Sequence, residues 1–222
     1  MINFRQIKAE EIECRIGQVG KSGYSLLLYK DARCDMAILD ECVGNERWQR
    51  KHEEIKGNMY CSVGILCDMG DQWIWVWKSD CGTESNTEKQ KGEASDSFKR
   101  ACVNWGIGRE LYTSPFIFIK CDTIKTEKGY TLPESEKYRK FKVSSIEYKD
   151  GKITALTIID NDGEVAFKFG YKVLGGDYVL SKGKYAGKKI RDCDDEYLQW
   201  CLDNVGVGEE LKANIRKYYE DK

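Results

Sequence analysis

The stretch WVWKSDCGTESNTEKQKGEASDSFKRACVNWGIGRELY, residues 75 to 112, decides the fold that we predict. It begins as a strand, passes through a polar loop and continues as a helix that we place at Thr87–Trp105. Thr87 and Gln90 form a capping-box pattern at the helix start, and a glycine directly after Trp105 is typical of a helix end. The stretch therefore predicts a strand followed by a well-delimited helix.

One face of this helix is apolar, and a neighbouring face carries cations. The apolar stripe consists of Ala94, Phe98, Ala101, Cys102 and Trp105. Lys91 and Lys99 recur on the second face, and the pair Lys99-Arg100 stands at the edge of the stripe. Cations at such an edge are partly shielded from water, where contacts with phosphate gain strength. The helix alone leaves two interpretations open, a phosphate-binding edge and an ordinary solvated face.

A hairpin precedes the helix. Apolar residues alternate with others from Met59 to Cys67, Asp68–Asp71 supplies turn residues, and Gln72–Lys78 returns with Trp73, Trp75 and Trp77 on one face. Three indoles on one face are typical of packing beneath a helix or against another subunit, and they are also able to stack bases. We favour the packing interpretation.

The remaining pattern completes an α+β protein in which an antiparallel sheet with a β-β-β-α core packs on a basic helix. We expect a short amphipathic helix near Phe4–Arg15, a helix at Ala32–Val43 and a mobile loop at Lys125–Lys140. The other extended segments that we predict are Tyr24–Tyr29, Trp48–Ile55, Phe116–Lys120, Phe141–Tyr148, Ile153–Ile159 and Val165–Phe169.

Composition excludes several classes of protein. The 222 residues carry a net charge of −1, so there is no overall basic field, and any anion site must be local. A single histidine, His52, excludes His-rich metal sites. Ten scattered cysteines without a CxxC pair, and an N-terminus without the features of a signal peptide, predict a reduced, cytoplasmic protein without membrane spans.

The sequence gives little support to a catalytic function. Gly20-Lys21-Ser22 resembles the end of a P-loop, but the first glycine of that motif is replaced by Arg15. The acids at Asp192, Asp194 and Asp195 fit the start of a helix better than a nuclease metal site. We therefore expect no catalytic residue, no metal and no cofactor, and we interpret His52 as a surface residue of a strand.

Residues 75 to 112 resemble the core signature of the Rad52 family of single-strand annealing proteins, in particular its bacteriophage-type branch. The matching elements are Lys-x-Asp-x-Gly at the end of a strand, a Thr-Glu-x-x-Lys-Gly loop, and Glu-Ala-Ser-Asp-x-x-Lys-Arg-Ala leading into a glycine-closed helix. Upstream, YKDARCDMAILDECVGNERW, residues 29 to 48, is similar to the first main helix of the family. The resemblance covers about residues 5 to 120.

The resemblance implies ATP-independent binding of single-stranded DNA and annealing of complementary strands in recombination and repair. It implies a homo-oligomeric ring or helical assembly, with a phage exonuclease and a single-strand binding protein as further partners in a bacterial host cytoplasm. The cations of the family's DNA groove correspond to Lys99 and Arg100, with Lys91 on the same helix and Arg33 at the start of the first main helix. We add Lys78 from its position at the end of the hairpin.

The C-terminal part has a different character. We place an annealing domain at residues 1–175 and a small α/β module at residues 176–222. The segment LSKGKYAGKKIRDCDDEYLQWCLDN, residues 180 to 204, resembles a small module at the ends of some exonucleases and phage proteins. Its lysines, Lys184, Lys188 and Lys189, suit DNA binding, partner docking or a solvated turn. Two alternatives therefore stay open: a nuclease-associated DNA-binding or adaptor protein acting through this module, and a metal-dependent nuclease built on the acid clusters.

Overall fold

The computed structural model describes residues 2–83 and 89–222 of the chain. It divides into two compact units, Met1–Phe169 and Gly170–Lys222, and each unit has a hydrophobic core of its own. Helices and antiparallel sheets are both present, so the predicted α+β class is confirmed. The functional division between residues 175 and 176 stays a prediction.

Three consecutive strands form an antiparallel sheet in unit 1. They are β3 (Trp48–Ile55), β4 (Asn58–Asp68) and β5 (Trp73–Cys81), with β4 in the centre. Lys56 and Gly57 join the first two strands with φ values of 53° and 78°, the left-handed backbone that a two-residue hairpin turn requires. The predicted hairpin of β4 with β5 is confirmed.

A helix covers one face of this sheet. α2 runs over Lys89–Trp105, so the predicted helix end is confirmed, whereas its predicted start at Thr87 lies outside the described residues. The predicted apolar stripe supplies the contact, because Phe98, Ala101 and Cys102 are fully buried. They belong to the same core as three buried residues of β4, namely Cys61, Val63 and Ile65.

Six further strands form a second antiparallel sheet in unit 1. In spatial order they are β11 (Val165–Phe169), β10 (Lys152–Asp160), β9 (Phe141–Lys149), β1 (Glu13–Gly20), β2 (Gly23–Tyr29) and β6 (Ile117–Lys120). Five of these strands follow the predicted segments closely, and β1 is the exception. Helix α1 (Ala32–Val43) is also as predicted, because Asp31 caps its first turn and Gly44 ends it with φ 86°.

The expectation of a helix near Phe4–Arg15 is wrong. That segment holds only a short 3-10 turn at Ala9–Glu11, and β1 already begins at Glu13. Cys14 and Ile16 lie opposite Leu28 and Leu26 of β2 in an antiparallel ladder. Pairing with the next strand in a hairpin therefore outweighed a local spacing that also suited a helix.

The expectation of a mobile loop at Lys125–Lys140 is also wrong. The strand pair β7 (Ile124–Thr126) and β8 (Gly129–Thr131) is followed by the short helix α3 (Glu134–Lys137). Leu132 is buried between these elements, and the hydroxyl of Tyr24 donates to Glu136 at 2.7 Å. The burial of Leu132 and the hydrogen bond to Glu136 tie this strongly charged segment to the core.

Unit 2 is built on α4 (Asp195–Asp203) and α5 (Glu209–Glu220). Asp194 caps α4 by accepting a 2.7 Å hydrogen bond from the backbone N–H of Tyr197, as expected for acids at a helix start. Ahead of α4 lies a lysine-rich loop closed by a single antiparallel bridge between Val179 and Lys189. The buried core of the unit consists of Leu180, Ile190, Leu198, Cys201 and Ile215.

Candidate nucleic-acid interface

The position of α2 on its sheet is fixed by close contacts at both ends of the helix. At one end, a Cβ on Gly82 would lie 2.2 Å from the carbonyl oxygen of Glu93, so only glycine lets the chain pass this close to the helix. At the other end, the indole N–H of Trp105 donates to the carbonyl of Val63 at 2.9 Å. The cations of α2 are thereby held in defined places.

A groove of about 620 Å³ runs beside α2 in unit 1. One wall is formed by α2, a second by β2 and the residue after it, and a third by the segment that leads into β6. Lys99 and Arg100 both line the groove. Two adjacent cations on one wall of a groove are the arrangement that binding of a phosphate backbone requires.

Each of these cations has a carboxylate nearby, at a distance too long for a strong ion pair. Lys99 Nζ lies 3.9 Å from Asp96 Oδ1, and Arg100 Nε lies 3.4 Å from Asp80 Oδ1. Asp80 raises the pKa of Arg100, so this side chain stays charged. Because ion pairs between partly exposed groups contribute little, a phosphate is able to replace these carboxylates at low cost.

A buried ion pair lies beneath the groove. The ammonium of Lys30, a lining residue, contacts the carboxylate of Asp35, and both side chains are almost completely shielded from solvent. Burial raises the pKa of Asp35 to about 6, while the charges of Lys30 and Lys99 act in the opposite direction. Asp35 Oδ2 has no hydrogen-bond partner within the described residues, so the pair is only partly satisfied.

The third wall of the groove is aromatic. Tyr112 and Phe116 line it with 74% and 78% of their surface exposed, and Phe116 stacks on Phe118 at a centroid distance of 6.0 Å. Our sequence interpretation missed this wall, because it treated Phe116 only as the start of a strand. The available signal was the run Phe116–Ile119, which is apolar on both faces, whereas Ile117 and Ile119 alone fill the core.

The other predicted site residues are not among those that line the groove in the described part of the chain. Lys78 donates to the carbonyl of Asn104 at 3.0 Å and lies 4.5 Å above the ring of Trp105, which favours a role in holding the end of α2. Arg33 is exposed in the first turn of α1. The side chain of Lys91 lies outside the described residues. Their roles in DNA binding stay predictions.

The tryptophans of β5 do not pack beneath a helix. Trp73, Trp75 and Trp77 are 52%, 38% and 39% exposed, and they alternate with the β5 residues that face α2. The guanidinium of Arg47 lies 5.2 Å from the ring centre of Trp73, and the ammonium of Lys51 lies 5.3 Å from that of Trp77. The part of the prediction that placed these indoles under a helix is therefore wrong, and packing against another subunit stays a prediction.

The remaining side chains that could react or bind a metal are the histidine, the cysteines and the acids. His52 is exposed on β3, with Nε2 3.1 Å from the carbonyl of Ala94. All ten cysteines are free, and burial raises the pKa of the thiols at Cys14 and Cys61 to about 11. Within residues 2–83 and 89–222, no cluster of His, Cys, Asp or Glu suits a metal ion. The described helices include none with the length and apolar character of a membrane span.

Comparison with known proteins gives a family match. A family model described as Rad52/22 family double-strand break repair protein matches residues 4–129. The matched segment contains the whole β3-β4-β5 sheet, α2 and all residues that line the groove. No curated protein and no solved structure matches the chain.

Proposed function

Since the chain belongs to the Rad52/22 family of double-strand break repair proteins, we propose that it binds single-stranded DNA in the groove beside α2 and anneals complementary strands. Membership of this family assigns the protein to DNA repair and recombination. The finer proposal concerns the strand, the residues that hold it and the assembly that acts on it.

One observation carries the proposal: Lys99 and Arg100 lie side by side on one wall of a groove whose opposite parts are apolar and aromatic. The cations suit the phosphates of a strand, and the exposed rings of Tyr112 and Phe116 offer planar surfaces to its bases. Arg100 is 45% exposed and Lys99 is 22% exposed, so both are accessible to a ligand.

Annealing forms and breaks no covalent bond, so the proposed reaction needs neither ATP nor a metal. It needs neutralised phosphates along one strand while a second strand finds its partner bases. Two cations per subunit give a weak site, and we therefore propose that the protein acts as a homo-oligomer, a ring or helical arc, in which many grooves hold one strand.

The bacteriophage-type origin, the bacterial host cytoplasm, and cooperation with an exonuclease and a single-strand binding protein are further parts of the proposal. They rest on the resemblance of residues 75 to 112 and 180 to 204. Under the same proposal Arg33 and Lys91 extend the cationic path along the strand.

The test is annealing of two complementary labelled oligonucleotides, without ATP or magnesium, by wild type and by the double variant Lys99→Ala/Arg100→Ala. We expect the variant to lose most of the annealing rate. The matched control is Lys125→Ala/Lys128→Ala, which removes the same charge from exposed positions around the β7-β8 turn. Wild-type annealing by the Lys99/Arg100 variant would contradict the proposed site. No annealing by the wild-type protein would contradict the proposed function and favour the alternative, a DNA-binding or adaptor protein that acts through unit 2.

A further inference from the structure

We propose that unit 2 carries a second binding site for single-stranded nucleic acid, formed by the exposed indole of Trp200 and the lysines of the neighbouring loop. The site goes beyond the groove of unit 1, because it shares no residue with it and lies outside the matched segment. We use two names below: the aromatic cluster is Tyr185, Tyr197 and Trp200, and the basic loop is residues 179–189.

The aromatic cluster is already arranged for stacking. Tyr197 and Trp200 lie one turn apart on α4 with ring centres 6.0 Å apart and planes inclined by 22°, and Tyr185 meets Tyr197 edge-on at 5.0 Å. Trp200 is 54% exposed, so much of its indole faces solvent. A supported but exposed indole is a surface on which a base of any sequence is able to stack.

The basic loop is closed by backbone hydrogen bonds, and its conformation brings lysines to the cluster. The N–H of Leu180 donates to the carbonyl of Lys188 at 2.9 Å, and the N–H of Gly187 donates to the carbonyl of Leu180 at 2.7 Å. Gly183 has φ 87°, and a Cβ there would lie 2.6 Å from the hydroxyl of Tyr197. Only glycine allows the loop to lie this close to the cluster.

Some cations in and next to the loop form ion pairs, and others do not. Lys189 and Arg191 pair with Asp177 at 2.9 and 2.6 Å, and Lys184 pairs with Asp194 at 3.2 Å. For Lys182 and Lys188 no ion pair is found among the described residues, and both are exposed. These two lysines are the ones that a phosphate would contact.

The loop and the cluster form a continuous surface. The ammonium groups of Lys184 and Lys188 lie 4.9 and 5.5 Å from the ring centre of Tyr185, which in turn contacts Tyr197. Among the acids near the start of α4, Asp194 pairs with Lys184 and Asp195 contacts Lys222, while Asp192 and Glu196 are exposed. The positive charge that remains beside the cluster is therefore that of Lys182 and Lys188. Cations on one side of an aromatic cluster and an exposed indole on the other are the chemistry of sites that bind single strands without sequence preference.

The test uses the full chain with Lys99→Ala/Arg100→Ala, so that binding through unit 1 is removed, and a fluorescent oligo-dT as the probe. Adding Trp200→Ala should weaken binding by at least about fivefold, the lower end of what one stacked base contributes, whereas Trp200→Phe should retain most of the affinity. Lys182→Gln/Lys188→Gln should lower the salt slope by about 1.4, since each phosphate contact contributes about 0.7. The matched control is Arg216→Gln/Lys217→Gln, because Arg216 pairs with Glu209 of α5 and Lys217 pairs with Asp221 directly after it.

A second measurement locates the contact directly. Photo-cross-links from an iododeoxyuridine oligonucleotide should fall in the tryptic peptide 192–212, which contains Tyr197 and Trp200. An unchanged affinity in Trp200→Ala together with no cross-link in this peptide would overturn the site. Complete loss of DNA binding in the Lys99→Ala/Arg100→Ala background would also overturn the site. Binding of poly-glutamate in place of DNA that depends on Trp200 would overturn it as well, because it would indicate an acidic protein segment as the ligand. Failure of the proposed annealing function is recognised separately, by the absence of annealing with the wild-type protein.

Discussion

Replacing Lys99 and Arg100 by alanine should reduce the salt dependence of single-stranded DNA binding by a calculable amount. Each phosphate contact contributes about 0.7 to the slope of log affinity against log salt for single strands, so two contacts contribute about 1.4 for each subunit that the oligonucleotide reaches. Between about 50 and 200 mM salt, this slope makes the affinity of wild type fall roughly sevenfold more than that of the double variant. The two side chains are the only cations of α2 that line the groove in the described part of the helix.

The assay is fluorescence anisotropy of a labelled oligo-dT at four salt concentrations, with wild type, Lys99→Ala/Arg100→Ala and the control Lys125→Ala/Lys128→Ala. The control loses two exposed cations from unit 1 but keeps the groove. We expect its slope to equal that of wild type. Equal slopes in all three proteins, or equal losses in both double variants, would refute the reasoning, because the effect would then come from net charge and not from the groove.

Three further predictions follow from the same geometry. Asp96→Asn removes the carboxylate beside Lys99 and should raise the affinity for single-stranded DNA by up to about fivefold, as a charge at 4 Å in water is worth about 1 kcal/mol; Glu127→Gln is the exposed control and should change nothing. Lys30→Met should lower the free energy of unfolding by about 3 to 5 kcal/mol at pH 7, because it leaves the carboxylate of Asp35 buried without its counter-charge. The pKa of Asp35 is raised from 3.8 to about 6, so between these pH values the native state holds a proton that the unfolded state lacks. This group therefore makes the free energy of unfolding fall as pH rises. In urea unfolding at pH 4 and pH 6, the free energy of unfolding should fall less between the two pH values in Asp35→Asn than in wild type. Affinity should increase steeply with oligonucleotide length in wild type, and this increase should disappear in Lys99→Ala/Arg100→Ala; an unchanged increase would mean that the length effect arises elsewhere.

Local patterns predicted the part of the fold that strong alternation and chain breaks define. The hairpin of β4 and β5 followed from residues alternating up to Cys67, and α1 followed from an apolar spacing that Gly44 ends. The first segment failed, because its apolar residues suited a helix as well as a strand, and only pairing of β1 with β2 decided between them. The prediction of a mobile loop after Lys125 was wrong because the segment is strongly charged and contains one buried residue, Leu132, that anchors it.

The candidate site was predicted in part. Lys99 and Arg100 could be found because they lie at the edge of one helical stripe, a relation within a single element. The groove itself could not be found, since one of its walls comes from β2, which is far in sequence from α2 and from the segment before β6. Lys30 carries no local mark of a shared surface, and pairing of β2 with β6 in one sheet brings it to the same groove as Phe116.

The carboxylates beside the groove cations bear on how a strand would be held under the proposed function. Asp80 and Asp96 lower the gain from each phosphate contact, because a bound phosphate replaces an interaction that Lys99 and Arg100 already make. A strand is then held weakly by one subunit and firmly only by several, so that each segment of it is able to leave its groove without the whole strand dissociating. Strand pairing needs this property, since a strand bound tightly at every subunit could not shift until its bases meet their complement. The balance of cations and acids that leaves the chain with a net charge of −1 is therefore compatible with DNA binding, provided that the site is repeated.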